Sequence, residues 1–303
     1  MGTNMQAEKS HNLNKNDYHQ LIKFALLEDL GGCIDLNFDI TSAWTLPKDL
    51  QAEAKIISRQ DGIIAGIEVA KSTFGYLEPK IYFISHKKDG ELIRSGELVA
   101  TLRGNAHPLL TAERTALNFL QRLSGIATIT HSYVEAVKGT GATITDTRKT
   151  LPGWRRLEKW AVTQGGGVNH RIGLYDAVLI KENHATAGNG LTAVLESIQN
   201  MQSNTEKKIP VFVEVETLEQ IEPILKYRPD RIMLDNMNSD AMRTAVKCIR
   251  NSDSDVTIEA TGGYNLTTVR EAAETGVDLI SVGSITHSAP TFDLTLLFDP
   301  AVN

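Results

Sequence analysis

The chain has 303 residues, 41% hydrophobic and 22% charged, a balance typical of a folded globular protein with one large or two ordinary domains. Its formal net charge of −6 argues against a general nucleic-acid or membrane-surface binder, since such proteins carry an excess of Lys and Arg. The two cysteines, Cys33 and Cys248, lack metal-ligand spacing, so neither a disulfide framework nor a zinc site is indicated and a reducing cytoplasm is favoured. No run approaches the ~18 apolar residues that a membrane span needs.

The amino-terminal half combines helical and strand-like patterns. Residues 1–16 are polar and are expected to form a mobile tail. Apolar residues recur at helical spacing over residues 18–29, which predicts one helix. Short β-prone runs separated by glycines fill residues 52–103, with a helix expected near residues 67–77. A long amphipathic helix is then predicted for residues 110–138.

Beyond the long helix, short apolar runs alternate with helical patterns. The runs start about 20 to 35 residues apart, the length of a βα unit, and most are apolar on both faces, as a buried parallel sheet requires. They are TITD (143–146), DAVLIK (176–181), PVFVEVE (210–216), RIMLDN (231–236), VTIEATGG (256–263) and DLISVGS (278–284). Six such units favour an α/β barrel, complete or incomplete, over a doubly wound open sheet.

Polar residues and glycines fall at the carboxyl ends of these six runs. They are Asp146, Lys181, Glu214, Asp235, Gly262–Gly263 and Gly283–Ser284. Barrel enzymes build their active sites at this edge of the sheet, so the pattern predicts a barrel with its site there.

An anion site is predicted between residues 148 and 181, where seven Lys and Arg residues stand against two acidic ones. Arg155, Arg156 and Lys159 fall at helical spacing and are interpreted as a solvated helix face. The other four cations lie at strand ends or beside glycine turns and are assigned to the site: Arg148, Lys149, Arg171 and Lys181. Arginine suits such a site because its planar fork meets a carboxylate or phosphate with two parallel hydrogen bonds.

Three further groups complete the predicted site. The glycines at 165–167 are interpreted as backbone that passes close to a ligand before His170 and Arg171 present donors to it. Glu214 and Asp235 could hold magnesium, bind ribose hydroxyls or act as a general base, with a salt bridge to Lys149 or Lys181 as the structural alternative. The late glycine turns, at 261–263 and 283–284, predict a phosphate seat made of backbone N–H groups.

These parts predict a barrel enzyme whose substrate carries several negative groups. They also predict a divalent metal and no redox cofactor. The reaction class stays open between group transfer and lysine-based aldolase chemistry through Lys181.

Several long motifs carry a resemblance to a known family. They are ERTALNFLQRLSGIAT (113–128), TDTRKTLPGWRRLEKWAVTQGGGVNHRIGLYDAVLIKENH (145–184), VEVETL (213–218), MLDN (233–236), EATGG (259–263) and DLISVGSITHS (278–288). Together they resemble the quinolinate phosphoribosyltransferase family over roughly residues 18–298. The resemblance implies an amino-terminal α/β sandwich domain at 17–128, joined by 288–303, and an open α/β barrel at 129–287. It also implies a homodimer in which each barrel mouth is completed by the neighbouring subunit.

The implied reaction joins quinolinate to phosphoribosyl pyrophosphate and yields nicotinate mononucleotide, pyrophosphate and carbon dioxide for NAD biosynthesis. By similarity, five residues would bind quinolinate, the first from the other subunit: Arg114, Arg148, His170, Arg171 and Lys181. The phosphoribosyl pyrophosphate ligands would be Lys149, Glu214, Asp235, Thr261, Gly262, Gly263, Val282, Gly283 and Ser284. Lys149, Glu214 and Asp235 would be the catalytic residues, and the two carboxylates would serve a magnesium ion that accompanies the substrate.

Two alternatives share this fold. A molybdenum-transport-associated paralogue would act on another base, but the retained TRKT, NHR and LIKENH motifs argue against it. A non-catalytic metabolite-binding regulator would be expected to have lost Lys149, Glu214 or Asp235, and all three are present.

Overall fold

The computed structural model describes residues 13–206, 208–252 and 255–300. Contacts group these residues into two compact units. In the described part of the chain, the amino-terminal unit holds residues 13–131, 150–166 and 288–300. The barrel unit holds residues 132–149 and the described residues of 167–287. The grouping therefore assigns 150–166 to the amino-terminal unit, whereas the sequence boundaries placed it in the barrel domain.

The helices are α1 (Lys15–Asp29), α2 (Ile40–Thr45), α3 (Ile67–Leu77), α4 (Ala106–Ala136), α5 (Arg155–Gln164), α6 (Glu182–Ala187), α7 (Leu191–Ser203), α8 (Ile221–Leu225), α9 (Ser239–Ser252), α10 (Val269–Ala273) and α11 (Ser284–His287). The strands are β1 (Gln51–Ser58), β2 (Gly62–Ile63), β3 (Tyr82–Ser85), β4 (Leu92–Ile93), β5 (Leu98–Asn105), β6 (Thr143–Thr145), β7 (Val178–Ile180), β8 (Val211–Val215), β9 (Arg231–Asp235), β10 (Thr257–Thr261), β11 (Leu279–Ser281) and β12 (Leu294–Pro300). Two short 3-10 helices occupy Leu36–Phe38 and Leu218–Gln220.

Of the predicted amino-terminal tail, residues 1–16, the first twelve lie outside the described residues. Residues 15 and 16 belong to helix α1, which begins with a capping box. The side chain of Asn14 accepts a hydrogen bond from the N–H of Asn16 at 2.9 Å, and Asp17 accepts one from the N–H of Asn14 at 3.0 Å. Because these bonds satisfy free N–H groups of the first turn, they explain why the helix starts before the apolar pattern does.

The amino-terminal unit is an α/β sandwich, as predicted. Its main sheet has the antiparallel order β12-β1-β5-β3, so the carboxyl-terminal strand joins this unit. Alternate residues of β1 are buried, as a strand with one covered face requires. They pack with Phe74 of α3 and with Leu109, Leu117 and Leu120 of α4 in one apolar core.

The predicted helices of this unit are confirmed. The helix expected near residues 67–77 is α3, and the long helix is α4, which begins four residues before the predicted start. Asn105 ends β5 and its side chain accepts a hydrogen bond from the N–H of His107 at 3.0 Å. The chain therefore passes directly from strand into helix at this point.

One interpretation of this unit is wrong. Lys159 was assigned to a solvated helix face, but it is 1% exposed on α5, and its neighbour Glu158 is fully buried. Arg122 donates to Glu158 from two nitrogens, at 2.7 and 3.1 Å. Arg155 bonds the hydroxyl of Thr150 at 3.1 Å. Lys159 and Arg155 therefore pack within the unit, whereas the side chain of Arg156 is 49% exposed, as the solvated-face interpretation expects.

The barrel unit contains a six-stranded parallel sheet in its described part, with the order β6-β11-β10-β9-β8-β7. All six predicted runs form these strands. The order shows no reversal from β7 to β11, and the first strand pairs with the last, as in a barrel. A doubly wound sheet would instead reverse its order at a switch point. Since β6 and β7 are not neighbours in this order, the barrel is open, as predicted.

No helix among the described residues is both long enough and apolar enough to cross a membrane.

Candidate active site

A cavity of about 350 Å³ opens at the carboxyl edge of the parallel sheet. It is lined by Thr147, Arg148, Lys149, His170, Arg171, Leu179, Lys181, Glu214, Met233, Glu259, Thr261 and Ser281. Seven of the predicted site residues are therefore brought together here, from Arg148 on the loop after β6 to Thr261 at the end of β10. The cause is the topology, because the carboxyl ends of parallel strands meet at one edge of the sheet.

Asp235 and Val282 belong to the same edge of the parallel sheet. Asp235 ends β9 directly beside Thr261, its register partner on β10. Val282 donates its N–H to the carbonyl of Thr145 at 2.9 Å, which joins the last strand to the first. Arg114 is on α4 in the amino-terminal unit, and its side chain is 64% exposed.

The cavity contains arginine nitrogens that lack acceptors. The Nε atoms of both Arg148 and Arg171 are buried and have no hydrogen-bond partner in the described structure. Arg171 donates from Nη1 to the carbonyl of Ala177 at 2.9 Å, which fixes one side of its fork. Burial, and then the charge of Arg148, lower the pKa of the Arg171 guanidinium. Buried donors and like charges brought together both favour a bound anion with several oxygen atoms.

Two aspartates shape the loop that carries His170 and Arg171. Asp146 is fully buried and accepts a hydrogen bond from the N–H of His170 at 2.8 Å. Asp176 accepts from the N–H groups of Ile172 and Gly173 at 2.6 and 2.9 Å. Asp146, counted above among the polar strand ends, therefore holds the loop in place.

The predicted role of the glycine triplet is wrong for Gly165. A Cβ at Gly165 would lie 2.3 Å from the carbonyl oxygen of Ala127 on α4, so the close approach it permits is to helix backbone. Gly166 has a φ of +88°, a turn conformation that favours glycine. These two glycines therefore serve packing and chain direction.

Lys181 and Glu214 form a direct ion pair across the cavity mouth. The Glu214 side chain is 10% exposed and that of Lys181 49%. The same pair lines a second cavity of about 390 Å³. His184 accepts a hydrogen bond from the N–H of Lys181 at 3.1 Å, which caps α6. His184 therefore fixes the backbone at the start of the helix that follows Lys181.

The glycine turn after β10 has a partner that the sequence analysis missed. A Cβ at Gly262 would lie 2.4 Å from the side-chain oxygen of Asn236, and its φ is +124°. Asn236 donates its backbone N–H to Thr261 at 2.9 Å and its side-chain N–H to the Asp235 carboxylate at 3.0 Å. Gly262 thus leaves room for the amide that orients Asp235. Asparagine tolerates the positive φ of +53° found at Asn236, so the asparagine that follows Asp235 in MLDN was the signal available in the sequence.

A buried ion pair beneath the cavity was also missed. Glu259 is fully buried, and Arg231 donates to it at 2.7 Å. Burial raises the pKa of the Glu259 carboxyl, with the charge of Arg231 acting against that shift. The available signal was a charged residue in the middle of the apolar run VTIEATGG.

An open α/β barrel with a cationic, carboxylate-flanked cavity at its carboxyl edge defines an enzyme that acts on an anionic substrate. Matches to protein-family profiles identify the enzyme family. The quinolinate phosphoribosyl transferase C-terminal domain matches residues 126–297, and the N-terminal domain of the same enzyme matches residues 39–124. The chain belongs to the quinolinate phosphoribosyltransferase family.

Relatives and solved structures agree with this assignment. The chain is 38% identical to the chloroplastic nicotinate-nucleotide pyrophosphorylase [carboxylating] of Arabidopsis thaliana, covering 93% of this chain and 83% of that one. It is 38% identical to the probable nicotinate-nucleotide pyrophosphorylase [carboxylating] of Bacillus subtilis, covering 94% of each. The structure of the nicotinate-nucleotide pyrophosphorylase of Francisella tularensis superposes with a TM-score of 0.88 at 34% identity, covering 96% of this chain and 99% of that one.

Proposed function

We propose that this protein transfers the phosphoribosyl group of phosphoribosyl pyrophosphate to quinolinate, with loss of carbon dioxide, to give nicotinate mononucleotide in NAD biosynthesis. The cavity supports this reaction, because it combines arginine donors without acceptors with the Lys181–Glu214 pair. The relatives named for this reaction support it as well. A Schiff-base aldolase would need Lys181 among apolar neighbours, whereas it is half exposed and paired with a carboxylate.

Quinolinate offers two carboxylates, which match the cationic wall of the cavity. We assign them to Arg148, His170, Arg171 and Lys181, all of which line it. The buried Nε atoms of the two arginines are donors for which the carboxylate oxygens are the natural acceptors. This assignment also orients the ring, since two clamped carboxylates determine where the pyridine nitrogen points.

We assign phosphoribosyl pyrophosphate to the same carboxyl edge of the parallel sheet, on the side opposite the cationic wall. Lys149 would meet the pyrophosphate, while Glu214 and Asp235 would meet the ribose hydroxyls. The turns at 261–263 and 282–284 would hold the 5-phosphate through backbone groups. The Lys149 stem supports this placement, because its Cδ lies only 3.1 Å from where a Cβ on Gly283 would be. The Lys149 side chain therefore lies beside the turn that follows β11.

The carboxylates at this edge suit a magnesium ion that accompanies the substrate. Among the described residues, no three His, Cys, Asp or Glu side chains converge as a metal site. Mg²⁺ commonly uses only one or two carboxylates together with substrate phosphates, and Glu214 and Asp235 on neighbouring strands can provide them. When bound, magnesium supplies charge neutralisation at the leaving pyrophosphate. The absence of a redox cofactor stays a prediction.

Each bond change of the proposed reaction can be assigned to residues of this chain. As the bond from the anomeric carbon to pyrophosphate breaks, Lys149 stabilises the leaving charge. The pyridine nitrogen, oriented by the carboxylates that Arg148 and Arg171 hold, attacks that carbon. The ribosylated nitrogen is cationic and accepts the electron pair left when the 2-carboxylate departs as carbon dioxide. C2 then takes a proton. The 3-carboxylate stays in the product, so we predict that it makes the tighter ion pair.

The test is to incubate the purified protein with quinolinate, phosphoribosyl pyrophosphate and magnesium, and to follow products by chromatography. We expect nicotinate mononucleotide and carbon dioxide in equal amounts, with activity lost on chelation of the metal. Nicotinate in place of quinolinate is the matched control, since it lacks the 2-carboxylate. Turnover of nicotinate but not of quinolinate would contradict the carboxylating assignment.

We further propose a homodimer in which Arg114 serves the partner's site. Arg114 is 64% exposed, and its nearest acidic partner, Glu113, lies 3.9 Å away, so the guanidinium is available. The amino-terminal unit also exposes large apolar side chains that an interface would cover: Phe24, Phe38, Ile40 and Trp44.

Mixed subunits test this arrangement. Arg114→Ala and Lys149→Ala homodimers should both be nearly inactive, while a co-expressed, doubly tagged heterodimer should recover about half of the wild-type activity, since one of its two sites then has both residues. If Arg114 acted within its own subunit, each subunit would carry one defect and no site would be whole. Absence of recovery in confirmed heterodimers would therefore contradict the shared site.

We propose a reducing compartment, the cytoplasm, as the place of action. Cys33 and Cys248 are both free thiols, which supports it.

A further inference from the structure

The interior of the barrel unit contains a charged pair where barrels usually place branched apolar side chains. Glu259 on β10 is fully buried, and its Oε2 accepts a hydrogen bond from Arg231 Nη1 of β9 at 2.7 Å. The Arg231 guanidinium also lies over the ring of Phe212, 4.2 Å from its centroid. Apolar residues of the same volume would stabilise a fold at least as well as a buried ion pair. Stability alone therefore gives little reason to keep Glu259.

Glu259 also faces the loop that carries the substrate-binding cations. Its Oε2 lies 3.6 Å from Nε2 of His170, which is 5% exposed. The other ring nitrogen, Nδ1, accepts a hydrogen bond from the backbone N–H of Arg171 at 2.7 Å. A nitrogen that accepts carries no proton, so a neutral ring carries its proton on Nε2, the nitrogen that faces the Glu259 carboxylate. Phe212 packs edge-on against the same ring, with centroids 5.4 Å apart.

These contacts form a continuous path from Glu259 to Arg171. Glu259 attracts the Nε2 proton of His170, and the opposite ring nitrogen holds the backbone of Arg171. Arg231 and Phe212 keep the carboxylate and the ring in place from below. If the ring proton moved to Nδ1, the backbone bond to Arg171 would be lost, because a protonated Nδ1 cannot accept it.

We propose that Glu259 is a positioning residue for quinolinate: through the Nε2–H tautomer of His170, it fixes the backbone from which the Arg171 guanidinium reaches the substrate carboxylate. The proposal rests on the function proposed above. It concerns how the acid is held and leaves the binding of phosphoribosyl pyrophosphate untouched. Displacing a binding group by about 1 Å can cost on the order of a hundredfold in rate.

The variant that tests this is Glu259→Gln, which keeps the shape and removes the charge. We expect the KM for quinolinate to rise at least about tenfold, with the KM for phosphoribosyl pyrophosphate changed less than about twofold. Glu158→Gln is the matched control, because Glu158 is also fully buried and also 2.7 Å from an arginine, Arg122. The control should lower Tm without changing the KM for quinolinate.

Several outcomes overturn the proposal. One is an unchanged KM for quinolinate in an active, folded Glu259→Gln enzyme, and another is an equal rise for both substrates. A purely structural role predicts the second result, with similar losses in the Glu158→Gln control. If the wild-type enzyme does not consume quinolinate at all, it is the proposed function that fails, so the two failures are distinguishable.

A measurement on the wild type keeps the proposal testable should Glu259→Gln fail to fold. Long-range ¹H–¹⁵N spectra of the histidine rings report which nitrogen carries the proton, and the His170→Gln spectrum assigns the signal. We expect the Nε2–H tautomer for His170, retained when quinolinate binds. An Nδ1–H tautomer would break the path from Glu259 to Arg171 and refute the proposal.

Discussion

Replacing Arg171 by alanine is expected to lower kcat/KM for quinolinate by about 10²- to 10⁴-fold. Two charge-assisted hydrogen bonds to a carboxylate would be lost, each contributing about 1.5 to 3 kcal/mol. The effect should be large because the fork is already oriented, by the bond from Nη1 to Ala177 at 2.9 Å, and its buried Nε has no acceptor in the described structure. Little reorganisation is therefore left for substrate to supply.

Steady-state kinetics with each substrate varied in turn would check this. Arg171→Lys retains the charge but not the planar fork, so it should fall between the wild type and the alanine variant. Arg243→Ala is the control, since Arg243 is 50% exposed and pairs only with Asp240 on α9 among the described contacts. A quinolinate KM and kcat left unchanged by Arg171→Ala would remove this residue from the site.

The parts of the site predictable from sequence are those that depend on strand ends. Lys181, Glu214 and Thr261 each close a short apolar run, and parallel strands bring such ends together whatever the details of their pairing. The barrel follows from the same feature, because six βα units with buried strands have few other arrangements. Local patterns therefore sufficed for the edge of the sheet.

The missed contacts depend on which residues become neighbours across the chain. Glu259 and Arg231 are paired by the inward-facing alternation of two adjacent strands, and Gly165 packs on α4 from a segment far along the chain. Lys159 was misjudged because helical periodicity shows which residues share a face but not whether that face is covered. Such facts arise from tertiary packing, and single-sequence patterns do not contain them.

Replacing Glu214 by glutamine is expected to weaken catalysis and to strengthen the binding of quinolinate. The kcat should fall by about a hundredfold, since the variant loses the carboxylate assigned to the ribose and its magnesium. The Kd for quinolinate alone should fall by up to about fivefold, because the half-exposed Lys181 is released from its ion pair and a solvent-exposed pair contributes about 0.2 to 1 kcal/mol. Calorimetry without phosphoribosyl pyrophosphate, together with steady-state kinetics, would separate the two effects.

Glu216→Gln is the control, as Glu216 is exposed beside the same strand end and lines the second cavity with Lys181. It should leave both quantities nearly unchanged. A Glu214→Gln enzyme that bound quinolinate more weakly would contradict the assignment of Lys181 to quinolinate. If Lys181 binds quinolinate, removing the carboxylate that competes for it must strengthen that binding.

The opposed effects follow from the position of the pair. Lys181 and Glu214 line both cavities at the sheet edge, so each satisfies the other while no substrate is present. Under the proposed assignment, quinolinate takes Lys181 from Glu214, and the freed carboxylate then faces the side assigned to the ribose. In the double variant Lys181→Met with Glu214→Gln, the tighter binding should disappear while the loss in kcat persists. That non-additivity is the signature of a direct coupling between the two side chains.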